Sequence, residues 1–169
     1  WKVLGAVLKQ TGRVIDSLPA MQKSVQLAPQ DAEAHSNLGI TLQELGKLED
    51  AKASCTQAIA LKPDFAEAYY NLGITLHELG RLDEAEASYS QATALKPDYA
   101  DAHNNLGNTL KDLGRLEEAE ASCMQAIALK PDYAEAHYNL GITLKELGRL
   151  EEAEASLRQA IALKPDFAE

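Results

Sequence analysis

Basic residues are scarce in this chain of 169 residues: 16 Lys and Arg stand against 26 Asp and Glu, a net charge of −10 and a pI near 4.9. Such a balance repels phosphate backbones and anionic lipid, so neither nucleic acid nor a membrane surface is an expected partner. No apolar run approaches the roughly 18 residues of a membrane span. The opposite deficit is absent too, since 46% hydrophobic and 25% charged residues exclude a disordered tail. A charged, apolar, small-residue signal peptide is missing from the start, which makes the cytoplasm the expected compartment. Trp1 is not a natural first residue, so the chain reads as a fragment. Metal and nucleophile chemistry are equally thin: four histidines, two cysteines, and no motif that gathers a nucleophile, a base and an orienting acid. The interval from Gly39 to Gly46-Lys47 has the wrong glycine spacing for a phosphate loop and no Ser or Thr after the lysine. The expectation is a protein without enzymatic activity, cofactor or metal site.

What the chain has is repetition. Asn37-Leu38-Gly39, Asn71-Leu72-Gly73, Asn105-Leu106-Gly107 and Asn139-Leu140-Gly141 recur every 34 residues, and Val3-Leu4-Gly5 continues the series backwards. This register defines one array over 1–169: a partial repeat 1–31, full repeats 32–65, 66–99, 100–133 and 134–167, and the start of another at 168–169. Repeats 66–99 and 134–167 are identical at 27 of 34 places. Cys55 and Cys123 lie 68 residues apart, at one place in repeats two units apart. With helices stacking about 8 to 10 Å apart, they are beyond disulfide reach and read as reduced core thiols.

Each unit reads as two helices. Asp64, Asp98 and Asp132 follow a proline and precede an acid three places on (Glu67, Asp101, Glu135), a capping-box spacing that predicts the start of a first helix. Leu72, Leu76 and Leu79 give its apolar face, and Gly46, Gly80, Gly114 and Gly148 are expected to end it in the left-handed conformation. The second helix opens with acids such as Asp83 and Glu84. It closes with Lys62, Lys96, Lys130 or Lys164 at the negative end of the helix dipole, followed by a proline. In the partial unit Pro19 predicts a late start to the second helix, near Ser17.

Tyr69, Leu72, Gly73, Leu76, Ala85, Tyr89, Ala92 and Pro97 spell a pattern over which the chain resembles tetratricopeptide repeat proteins along nearly its whole length. The resemblance implies an all-α fold, a right-handed α-α superhelix or solenoid of stacked antiparallel helix pairs, with the first helices lining a concave groove. It also implies a protein-protein interaction scaffold. The Asn-Leu-Gly form of the repeat is similar to the arm of O-linked N-acetylglucosamine transferases, where such asparagines hold substrate polypeptide.

By that resemblance Asn37, Asn71, Asn105 and Asn139 form an asparagine ladder along the groove. A carboxamide carries both donor and acceptor, and can pair with the backbone of an extended peptide without reading its side chains. The other role open to these residues is a bond across to a neighbouring helix. Ser36, Tyr70, Asn104 and Tyr138 flank the ladder on one side, and Ile40, Ile74, Asn108 and Ile142 on the other. Acids at the helix starts and ends (Glu33, Glu67, Asp101, Glu135; Glu44, Glu78, Asp112, Glu146) favour a neutral or basic partner, while those at the starts also suit helix capping. The basic clamp with which some members grip acidic C-termini is missing, since only Lys2 and Asn71 fall at its places. His35, His103 and His137 share the place of Trp1 and Tyr69 and read as packing residues. Two further functions stay open: a substrate-recruiting arm of a larger enzyme such as a glycosyltransferase, and a scaffold that self-associates weakly end to end.

Overall fold

The structure is a computed structural model that describes residues 1–165. The further repeat expected at Ala168 and Glu169 lies outside the described residues. Among the described residues ten helices follow one another: α1 (Lys2–Gln10), α2 (Val14–Leu27), α3 (Ala32–Glu44), α4 (Leu48–Leu61), α5 (Ala66–Glu78), α6 (Leu82–Leu95), α7 (Ala100–Asp112), α8 (Leu116–Leu129), α9 (Ala134–Glu146) and α10 (Leu150–Leu163). No described residue is in a strand. None of the described helices is long and apolar enough to cross a membrane. The chain divides into two compact units, Trp1–Glu84 and the residues from Ala85 on.

In the first unit α1 packs on α2 and α3 on α4, and the pairs are joined by α2 against α3 and α4 against α5. In the second, α7 packs on α8 and α9 on α10, with α8 against α9. Three-residue turns force the partners of each pair to run antiparallel. Gly46 shows how: its φ is 69°, its N–H donates to Gln43 O and the next N–H, of Lys47, to Leu42 O, both at 2.8 Å. These bonds satisfy carbonyls that the helix end leaves open, in a conformation favouring glycine. Gly80, Gly114 and Gly148 do likewise, as the sequence predicts, and Gly12 joins them.

Close packing within each pair rests on residues without bulk. Ala51, Cys55 and Ala58 of α4, and Ala119, Cys123 and Ala126 of α8, have no exposed surface. A methyl group placed on Gly39 would come 2.6 Å from Cys55 Sγ, and one on Gly107 the same distance from Cys123 Sγ. Both cysteines are free, and burial pushes their thiols up to about 12.

Two local expectations are corrected. The first helices begin at Ala66, Ala100 and Ala134, and the cap places are held by Phe65, Tyr99 and Tyr133 rather than by the aspartates before them. Only Asp31, at the corresponding place ahead of α3, caps with its side chain, accepting the Ala34 N–H at 3.1 Å. The aromatic rings are fixed instead by the lysines that end the preceding helices: Lys62 over Phe65, Lys96 over Tyr99 and Lys130 over Tyr133, at 4.6 to 4.8 Å. Second, α2 begins at Val14, not near Ser17, and carries Pro19 in its interior. Ser17, Ala20, Met21 and Ser24 are buried on one face while Ile15 and Pro19 are exposed. The carbonyl left without its N–H partner belongs to Ile15, on the solvent side, so packing of the opposite face carries the helix through the proline.

Candidate functional site

The four ladder residues stand on the first helices α3, α5, α7 and α9, all half-buried. Their backbones are braced alike: Thr41, Thr75, Thr109 and Thr143, each fully buried one turn on, donate from Oγ1 to the carbonyls of Asn37, Asn71, Asn105 and Asn139 at 2.8 to 3.0 Å. These threonines were not singled out in the sequence, although their spacing of four after every asparagine was there to be read.

The side chains diverge. Asn71 Nδ2 donates to Ser36 Oγ at 3.1 Å, tying α5 to α3, and Asn139 Nδ2 donates to Asn104 Oδ1 at 2.9 Å, tying α9 to α7. Asn104 in turn donates to Asn105 Oδ1 at 3.3 Å. The cross-helix role is therefore filled for Asn71 and Asn139. Their Oδ1 atoms take no part in these bonds, and because no buried side-chain oxygen or nitrogen is left unpaired among the described residues, those acceptors reach solvent. The amide of Asn37 has no hydrogen-bond partner among the described residues, and its oxygen and nitrogen both reach solvent.

In the first unit these groups line a hollow of about 310 Å³ bounded by Glu33, Ser36, Asn37, Ile40, Phe65 and Glu67, with Asn71 beside them. Lys2 closes on its acidic rim, its Nζ 2.9 Å from both Glu33 and Asp31. That ammonium holds the Asp31 carboxyl below the usual carboxylate range, helped by the Ala34 N–H, and its own proton is held more tightly in return. Tyr70 and Ile74 are half-buried on α5. In the second unit Asn108 and Ile142 are half-buried and Tyr138 is exposed, whereas Asn104 is buried and acts through its neighbours. His35, His103 and His137 turn away from this chemistry. Each brings Nε2 to 2.9 to 3.0 Å from the carbonyl of Pro29, Pro97 or Pro131, so the N–H sits there and the imidazole ties a loop to its helix.

Family models for tetratricopeptide repeats match residues 20–53, 42–80, 75–114 and 98–166. The chain belongs to the tetratricopeptide repeat family. Among solved structures of this family it is similar to MamA, with 26% identity over 97% of this chain and 96% of that one and a TM-score of 0.84. A thermophilic tetratricopeptide repeat protein of Thermus thermophilus is 29% identical, over 98% of this chain and 92% of that one, with a TM-score of 0.80. YrrB, a tetratricopeptide repeat protein with an unusual peptide-binding site, shares the fold at 24% identity, covering 96% of this chain and 84% of that one with a TM-score of 0.77. No curated protein matches the sequence. The all-α fold of stacked helix pairs is thereby that of a tetratricopeptide repeat solenoid.

Proposed function

We propose that the chain is an interaction scaffold whose first helices hold extended peptide, with the asparagines of the ladder, Asn71 and Asn139 above all, offering carboxamide acceptors within the unit that carries each. The observation that carries this is the division of labour in the amides. Asn71 and Asn139 each spend one N–H inside the protein and leave Oδ1 toward solvent, an arrangement suited to peptide N–H groups or to the donors of Lys and Arg. Glu33 and Glu67 beside the hollow, and the net charge of −10, favour a neutral or basic partner. Lys2 already occupies the acidic rim as a basic side chain of such a partner would. The peptide-binding site of YrrB supports the same use of this fold.

Selection from an unbiased peptide library tests the proposal, because Asn37 makes no internal bond. Asn37→Ala is expected to melt as the wild type does while weakening the selected peptides about 2- to 10-fold, the worth of one hydrogen bond. Unchanged affinity, or a preference for acidic peptides, would overturn the proposal.

A further inference from the structure

The hollow between α3 and α5 in the first unit combines apolar wall with an excess of acceptors. Ile40 and Phe65 supply the wall, and the Phe65 ring already draws one cation, Lys62, to 4.8 Å from its centre. Glu33 on α3 and Glu67 on α5 bring a carboxylate each. Asn71 adds Oδ1, left toward solvent while Nδ2 donates to Ser36, and Asn37 adds a whole amide. The first cation to use this rim belongs to the chain itself. Lys2 Nζ lies 2.9 Å from Glu33 Oε2, yet the Glu33 side chain stays 66% exposed, with room for another partner.

The second unit lacks two of these features. At the place of Ser36 it carries the larger Asn104, which is buried, accepts from Asn139 at 2.9 Å and donates to Asn105 at 3.3 Å. At the place of Ile40 it carries the polar Asn108. Small Ser36 and apolar Ile40 therefore mark the first unit as the one that can seat a long side chain with an apolar stem.

Given a peptide held on the first helices as proposed above, we infer that this hollow takes one of its arginine side chains, the stem against Ile40 and Phe65 and the guanidinium among Glu33, Glu67 and Asn71 Oδ1. The ladder amides pair with backbone, whereas this subsite reads a residue. Acceptors on two helices suit a planar fork of five N–H donors better than an ammonium with three, and a guanidinium gives up its water more readily. Lys2 competes for Glu33 and regulates the subsite, since it holds Asp31 at the same 2.9 Å and keeps that partner when a guest takes Glu33.

Selection of linear peptides from an unbiased library on the full chain, followed by titration of the selected peptides with their arginine kept or replaced by lysine, citrulline or alanine, tests this. Arginine is expected to be enriched, and each replacement to weaken binding. Glu33→Gln is expected to weaken arginine peptides about 2- to 5-fold and to leave their citrulline forms unchanged. Lys2→Met is expected to tighten them by a similar factor, a gain that a folding defect cannot produce, while Lys9→Met, which takes the same charge from α1 at a lysine paired with Glu44, is the control. Ser36→Asn rebuilds the arrangement found at Asn104, so it is expected to melt as the wild type does and to lower arginine affinity about tenfold. Equal binding of lysine or citrulline forms, or arginine affinity indifferent to Glu33→Gln and Lys2→Met, would overturn the inference. Peptides selected without arginine that still weaken with Asn37→Ala would overturn it and leave the scaffold reading intact, whereas a library that yields no binder would overturn both.

Discussion

Asn37, Asn71 and Asn139 share one place in the repeat and differ in what their amides touch, which separates binding from stability one residue at a time. Asn71→Ala and Asn139→Ala each remove a half-buried bridge between first helices and are expected to lower stability by about 0.5 to 1.5 kcal/mol, read from chemical melts. Asn37→Ala, with no bridge to lose, is the control. The thiols of Cys55 and Cys123 make a second test at this scale. Pushed up to about 12 by burial, they hold almost no thiolate at neutral pH. Their reaction with an aromatic disulfide is expected to be far slower than that of a free thiol, and to become fast for both when denaturant is added. Rapid labelling of the native protein would contradict the packing described for Gly39 and Gly107.

Helix pairs approach closely only where one partner offers glycine. Gly107→Ala brings a methyl group 2.6 Å from Cys123 Sγ and 3.1 Å from Ala119 O, and is expected to cost about 1 to 3 kcal/mol. Adding Cys123→Ala is expected to recover part of the loss but not all, since the backbone contact remains; a double-mutant cycle in denaturant measures both. Within α2, Pro19→Ala restores an N–H to Ile15 O on an exposed face and is expected to stabilise, by up to about 3 kcal/mol. The contact of α1 with α3 depends on pH. Lys2 depresses the Asp31 carboxyl in the folded state, so this pair contributes stability that is present above the ordinary aspartate range and lost as pH falls through it toward the lower folded value. Melting temperatures between neutral pH and about pH 3 are expected to fall less in Lys2→Met than in the wild type.

For the molecule as a whole, we propose that residues 1–169 work as a single array with repeats 32–65, 66–99, 100–133 and 134–167. In such an array each helix pair is stabilised chiefly by its neighbours, so stability follows repeat number. Deleting residues from 134 on is expected to lower the unfolding midpoint while the remaining helices persist by circular dichroism. An unchanged midpoint would deny coupling between repeats. The charge of −10 acts at the same scale: added salt is expected to weaken basic peptides more than neutral ones, measured by the slope of affinity against ionic strength.

The period of 34, the glycine that closes each first helix and the small residues inside each pair were legible in the sequence because they are local demands: a left-handed residue and a close approach leave few side chains to choose from. The family and the all-α architecture followed from them. Where helices begin was misread at Asp64, Asp98 and Asp132, because a capping spacing competes with the aromatic that follows it, and a lysine three residues before that ring decides the matter in space. Pro19 was misread for a similar reason, since burial of the opposite face outweighs one missing hydrogen bond. The asparagine ladder was visible as a row of identical letters, but a carboxamide has two ends. Only the tertiary structure, by setting Ser36 and Asn104 within reach of Asn71 and Asn139, decides which end faces inward.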